Sequence, residues 1–259
     1  KRVFETSGMK LIKEGVDDKG ILKAIFLAGG PGSGKTWVTR GLYGIPKKYN
    51  FSPGHGLKLV NQDTELEFLL NKYFGTTDLD NMPEELFADV TGVDFQGKDV
   101  EMNSGMRAYA KSLTKARMEN YVRGRLGVII DGTGHKYKAI ASKKQKFEDL
   151  GYDCYMVFVN TSLEIALQRN SERDRVVPEK IVRDSWQDVQ QNLGGFQRLF
   201  GRNFIIVDNS KKRDEDSAKG FFESLVKQGI NKFVKAPVKN SIGKKWIKRA
   251  RLLKKQGIK

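Results

Sequence analysis

The stretch Gly29-Gly30-Pro31-Gly32-Ser33-Gly34-Lys35-Thr36 is a complete G-x-x-x-x-G-K-[ST] sequence. Residues 21–28, ILKAIFLA, are apolar enough for a buried strand, and residues 37–43 continue as an opening helix would. Strand, glycine loop and helix therefore stand in the order that a phosphate-binding loop requires. Glycines let consecutive backbone N–H groups turn inward on a chain of phosphates, and the helix N-terminus adds its partial positive charge. Lys35 then reaches the terminal phosphates and Thr36 can ligate Mg²⁺. Gly30, Pro31, Gly32, Ser33, Gly34, Lys35 and Thr36 thus form the candidate nucleotide site, with Lys35 also a catalytic candidate. A glycine-rich turn matching by chance is the alternative, and the flanking strand and helix argue against it.

Outward from this loop, residues 57–61 restart as a second strand ending in Gln62-Asp63, and residues 64–74 form a helix. Residues 75–103 are acidic with weak periodicity and are expected to be a mobile insertion over the site. Residues 104–125 have helical propensity and carry six basic side chains. A third strand over 127–131 ends in Asp131, followed by a helix over 137–150, a fourth strand over 152–160 and a helix over 162–172. The run Arg173-Asp174-Arg175-Val176-Val177-Pro178 interrupts that helix, which resumes over 179–192 before a fifth strand over 203–208 and a helix over 214–227. Five strands alternating with helices predict an α/β protein whose parallel sheet is covered on both faces, with ligands at the strand carboxyl ends. The expected division is an N-terminal extension over 1–20, a nucleotide-binding domain over 21–230 and a basic tail over 231–259.

With 259 residues and 39% hydrophobic content, the chain suits one sizeable core and not two full domains. The lone Cys154 excludes an internal disulfide framework and fits a reducing cytosol. No run approaches the roughly 18 apolar residues that span a bilayer, and no signal-peptide core is present, so a soluble, cytoplasmic protein is expected. The sequence opens at Lys1 and not at methionine, so a natural start that was trimmed or omitted is expected. The net charge of +16 is uneven: residues 231–259 hold eleven Lys or Arg and no acid, which leaves +5 for the first 230 residues.

Asp131, at the end of a buried strand beside the loop, can orient Mg²⁺ through water; a loop-capping role is the alternative. Asp63 ends the neighbouring strand and can accept the proton of an acceptor hydroxyl, with a helix N-cap as the competing reading. Arg169 and Arg173 share one helical face, and with Arg175 they can meet the oxygens of a transferring phosphoryl group. Asn209 follows the fifth strand and is a candidate for the adenine site. His55 and His135 are the only histidines and read as loop residues, not metal ligands. The basic stretch over 104–125 is either a solvated face or a hold for an acceptor's phosphates. In the tail, Trp246, Ala250 and Leu253 with Ile247 make a thin apolar stripe on an otherwise basic helix over 243–256. That helix can pack on the body, tether nucleic acid, or contact a protein or an anionic membrane.

GGPGSGKT at 29–36, VNQD at 60–63, GVIIDGT at 127–133 and EIALQRNSERDRVVPEKIV at 164–182 together resemble the polynucleotide 5′-hydroxyl kinase and zeta-toxin group of phosphate-loop kinases, including tailed-phage kinases. The resemblance implies a kinase-type, three-layer phosphate-loop NTPase fold, use of ATP or GTP with Mg²⁺, Asp63 as general base and Arg173 as a lid arginine. Polynucleotide kinases of phages place a substrate-binding Asp directly before Thr, whereas here Gly132 stands between Asp131 and Thr133. The zeta toxins have that acid, Gly, Thr order. The expected function is transfer of a γ-phosphate to a hydroxyl, with a nucleic-acid 5′-OH as first choice. The alternatives are a zeta-toxin-like nucleotide-sugar kinase and a non-enzymatic nucleotide-binding phage assembly protein, the latter with virion association. Expected partners are nucleic acid at the cleft and tail, and a protein at the C-terminal helix.

Overall fold

β1 (Lys23–Ala28) is buried along its whole length. Successive side chains of a strand point to opposite faces, so Ala24 and Phe26 enter one core while Ile25 and Leu27 enter another. In this computed structural model, residues 15–46, 50–75, 88, 105–172, 176–211, 213, 215–225 and 230–257 are described. β1 pairs in parallel with β3 (Val128–Ile130) on one side and β4 (Asp153–Asn160) on the other, with Ala24 opposite Val128 and Cys154. β2 (Lys58–Val60) joins β3, and β5 (Phe204–Asp208) joins β4, so the sheet runs β2-β3-β1-β4-β5. The predicted five-stranded parallel sheet is observed. β1 lies at its centre, and the loop leaving β1 opens at the point where the strand order reverses, the place where such sheets bind ligands.

Helices cover both faces. On one, Phe26, Ile130, Met156 and Phe158 pack with Phe147 of α4 (Tyr137–Asp149) and with Val189, Phe196 and Phe200 of α6 (Glu179–Phe200). On the other, Ile25, Leu27, Val157 and Val207 pack with Val38 and Leu42 of α1 (Lys35–Tyr43). Phe222 of α7 (Glu215–Leu225) and Val234 of α8 (Asn231–Lys235) close that side. A smaller cluster joins Leu66, Leu69 and Leu70 of α2 (Gln62–Phe74) to Ala110 of α3 (Met106–Arg123), beside an ion pair between buried Glu65 and Arg117. α5 (Leu163–Ser171) follows β4, and α9 (Ser241–Lys255) ends the described chain.

α6 runs eight residues beyond the expected end at 192, straight through Gly194 and Gly195. A Cβ on Gly195 would lie 2.9 Å from a Tyr137 ring carbon, so that glycine marks a close helix approach and not a stop. α2 starts two residues earlier than expected, at Gln62, because Asn61 caps it. The expected insertion falls largely on residues 76–87 and 89–104, outside the described residues. Among the described residues, no helix is long and apolar enough to cross a membrane.

Candidate active site

The loop between β1 and α1 is tied at each end. The Gly29 N–H donates to the Thr133 carbonyl at 2.8 Å, joining it to the segment after β3. Gly32 has φ +72°, and a Cβ there would lie 2.1 Å from the Ala166 carbonyl oxygen of α5, so only glycine fits. Gly34, the left-handed residue before α1, would drive a Cβ to 2.4 Å from Asn209 Nδ2. Ser33 N–H donates to the Gly30 carbonyl at 3.2 Å, beside half-buried Pro31. Lys35 Nζ donates to the carbonyls of Gly29 at 2.6 Å and Gly30 at 3.2 Å, which folds its ammonium back over the loop. The exposed Thr36 follows in the first turn of α1.

Asn209, buried just beyond β5, braces this loop. Its Nδ2 donates to the Ser33 carbonyl at 2.8 Å, and its own carbonyl accepts from Arg169 Nη1 at 2.8 Å. Arg213 donates to Asn209 Oδ1 at 3.4 Å and stacks 3.8 Å over the Phe221 ring. Arg169 therefore stands at the loop from α5, and burial followed by the neighbouring Arg213 charge pushes its pKa below the usual arginine value. Arg173 and Arg175 lie outside the described residues.

Two carboxylates follow the adjacent strands. Asn61 Oδ1 accepts the Asp63 N–H at 2.8 Å and so fills the cap position that was the competing reading of Asp63; Asp63 sits in the first turn of α2. Asp131 follows β3, with its N–H donating to the Val60 carbonyl at 2.9 Å. Its Oδ1 is buried and has no hydrogen-bond partner among the described residues. Burial pushes the Asp131 carboxyl up to about 6; Lys35 opposes the rise, Asp63 adds to it as a like charge, and the Gly132 N–H opposes it. Lys35, Asp63 and Asp131 therefore share one electrostatic site at the carboxyl ends of β1, β2 and β3.

A buried carboxylate oxygen without a hydrogen-bond partner, on an Asp131 that feels the charge of Lys35, and an exposed Thr36 next in sequence to that lysine fit Mg²⁺, which takes one or two protein oxygens and completes its shell with phosphates and water. No group of three His, Cys, Asp or Glu exists among the described residues, so a cage of protein ligands alone does not form there. His55 packs in a turn between Ser52 at 3.1 Å and Asn231 at 3.3 Å, and His135 bonds the Thr133 hydroxyl; both are loop residues.

Several residues at the site carry no motif. Trp186 of α6 donates from Nε1 to the Thr161 carbonyl at 2.9 Å, and its backbone faces Gly30, where a Cβ would lie 3.5 Å from Trp186 Cα. Gln190 bonds Asn160 at 2.8 Å, and Asn192 donates to the carbonyls of Gly134 and His135. α6 thus holds the loops after β3 and β4 against the phosphate loop. The only signal in the sequence is that these polar residues fall on one helix.

A central strand feeding a glycine-rich loop and helix, in a sheet of this order, defines a kinase-type phosphate-loop α/β fold. Residues 25–195 match the AAA domain family, and the chain belongs to it. No curated protein matches the sequence. Among solved structures, the chain is similar to one in the Pnkp1/Rnl/Hen1 RNA repair complex, with 17% identity and a TM-score of 0.45 over 68% of this chain and 46% of that one. It therefore spans less than half of that chain's length. The chromosomal PezAT toxin–antitoxin system of Streptococcus pneumoniae aligns at 12% identity and a TM-score of 0.47, covering 88% of this chain and 91% of that one. Shikimate kinase from Bacteroides thetaiotaomicron aligns at 15% identity and a TM-score of 0.41, covering 80% of this chain and 97% of that one.

Proposed function

We propose that the chain is a phosphotransferase that moves the γ-phosphate of ATP or GTP to a hydroxyl acceptor, with a nucleic-acid 5′-OH as the first-choice acceptor. The observation that carries this reading is the pairing of carboxylates at two adjacent strand ends: Asp63 relieved of capping, and Asp131 buried with an orphaned oxygen and under the influence of both the Lys35 and the Asp63 charge. Nucleotide binding alone requires no second carboxylate, whereas transfer requires a base.

In the proposed reaction, Asp63 accepts the proton of the acceptor hydroxyl, whose oxygen forms the new bond to phosphorus as the bond to the bridging oxygen breaks and the nucleoside diphosphate leaves. Lys35 and the loop N–H groups stabilise the charge that develops on the phosphates. Thr36 and Asp131 would hold Mg²⁺, which when bound would supply positive charge to the phosphates. Arg169 stands on the loop side, with Arg173 and Arg175 proposed as the lid. Asn209, whose amide is engaged by the Ser33 carbonyl, is proposed to position the loop beneath the nucleotide.

Exposed Lys111 on α3, next to α2, supports a polyanionic acceptor, with Lys115 one turn on and 3.9 Å from Glu119. The Asp131-Gly132-Thr133 order keeps a nucleotide-sugar acceptor as the second reading. Incubating the protein with γ-labelled ATP or GTP, Mg²⁺ and separate 5′-OH DNA, 5′-OH RNA and nucleotide sugars, then resolving products by thin-layer chromatography, tests both. Label on a 5′ end supports the first reading and label on a sugar the second; label on neither, with only bound nucleotide, would falsify transfer to either class.

A further inference from the structure

A groove of about 760 Å³ opens between α9, the segment over 16–23 and residues 234–238. Lys23 lines it and begins β1, whereas the phosphate loop leaves the other end of that strand. Six residues at about 3.3 Å each put roughly 17–20 Å of sheet between the two. Six exposed cations line the groove: Lys19, Lys235, Lys244, Lys248, Arg251 and Lys255. The acids there are already engaged. Asp18 accepts the Gly20 N–H at 2.7 Å and lies 3.8 Å from Lys58, and Asp17 pairs with Lys254.

Lys244, Lys248, Arg251 and Lys255 recur at steps of four, three and four, which sets them on one face of α9. Their rise along the axis is about 16 Å, comparable to about five phosphate steps of one nucleic-acid strand. The apolar side of the helix is not available to lipid, because Trp246 and Ile247 pack on the body core. The exposed apolar residues that remain, Ile242 and Leu252, are ten positions apart and make no continuous band for a bilayer.

We propose that this groove is a second, non-catalytic site that binds the phosphate backbone of a nucleic acid on the end of the sheet opposite the phosphate loop. It is independent of the reading of the cleft, since either can hold without the other. The cations supply affinity without sequence preference, through release of condensed counterions.

The test uses the full chain carrying Lys244→Gln, Lys248→Gln, Arg251→Gln and Lys255→Gln together, with a fluorescein-labelled 30-nucleotide single strand titrated between 50 and 200 mM NaCl. Removing four phosphate contacts should flatten the slope of log Kobs against log salt by about 3 and weaken binding at low salt at least about tenfold. In the unaltered chain, the strand should protect Lys244, Lys248 and Lys255 from acylation, a readout that decides the matter alone if the variant melts early. An unchanged slope, or absent protection, overturns the proposal. Tighter binding to phosphatidylserine vesicles or to polyglutamate than to the strand, lost with the same four side chains, overturns it in favour of a membrane or an acidic protein.

Discussion

Lys35 bonds the carbonyls of Gly29 and Gly30, so its ammonium is already ordered over the loop where phosphate charge would develop. Lys35→Ala is expected to lower single-turnover transfer by about 100-fold or more, the usual cost of removing a group aimed at developing charge. Retention of more than about a tenth of the rate would place the chemistry elsewhere. Asp131 makes a pH prediction. Its folded pKa of about 6 lies above the ordinary 3.8, so the native state holds a proton that the unfolded state releases. Its contribution to stability is therefore present at low pH and is lost as pH rises from about 4 through about 6, by up to about 3 kcal/mol. Urea melts of the protein and of Asp131→Asn, compared from pH 4 to 8, should show the variant gaining on the parent across that window. Parallel curves would mean that the carboxylate is not buried as described. Asp131 was legible in the sequence because an apolar run ends in an acid. The choice between base and cap at Asp63 was not, because it depends on whether the Asn61 or the Asp63 side chain takes the cap, and helix boundaries shift by a residue or two.

At the scale of elements, the phosphate loop is seated by close backbone approaches. Gly32→Ala adds a methyl 2.1 Å from a carbonyl oxygen of α5 at a φ of +72°, and backbone on both sides limits relief. We expect nucleotide affinity to fall at least about tenfold with a fall in melting temperature, measured by calorimetry on the same sample; unchanged affinity would show that loop and helix separate freely. The sheet was readable from its apolar runs: β1 and β4 are nearly continuous hydrophobe, as strands buried on both faces must be, and the edge strand β5 keeps an apolar run although Ile206 is exposed. α6 was read short because Gly194-Gly195 imitates a helix stop, and only the Tyr137 ring, over 50 positions away, explains it. The brace of Ser33, Arg169, Asn209 and Arg213 was unreadable for the same reason: its partners lie up to 176 positions apart and no local pattern joins them.

For the whole molecule, the basic tail is a clamp as well as a charge. The Asp153 carboxylate pairs with buried Lys23 at 2.9 Å and accepts the N–H groups of Lys239 and Asn240, each at 2.9 Å. Asn240 caps α9 and donates to the Glu148 carbonyl at 2.7 Å, and Gly243 packs so closely on Gly151 that a Cβ would come within 2.2 Å of its oxygen. The packing reading of the tail is therefore realised, and the sequence could not place it because the amphipathic stripe names no docking surface. Removing residues 236–259 strips Val238 from the core and two donors from the half-buried Asp153 carboxylate. Differential scanning calorimetry should show a loss of about 3 kcal/mol or more, or about 6–12 °C. A melt within about 2 °C of the full chain would show the clamp to be superficial.

In the proposed reaction Asp63 and the loop divide the labour, one taking a proton and the other holding the nucleotide. Single-turnover transfer from γ-labelled ATP to a 5′-hydroxyl oligonucleotide, with nucleotide affinity measured on the same preparations, tests it in Asp63→Asn. The amide keeps the size of the side chain but takes no proton. Transfer should fall by about 100-fold or more while the affinity for ATP stays within about threefold of the parent. Transfer at the parental rate, or rate and affinity lost in equal measure, would remove Asp63 from the role of base.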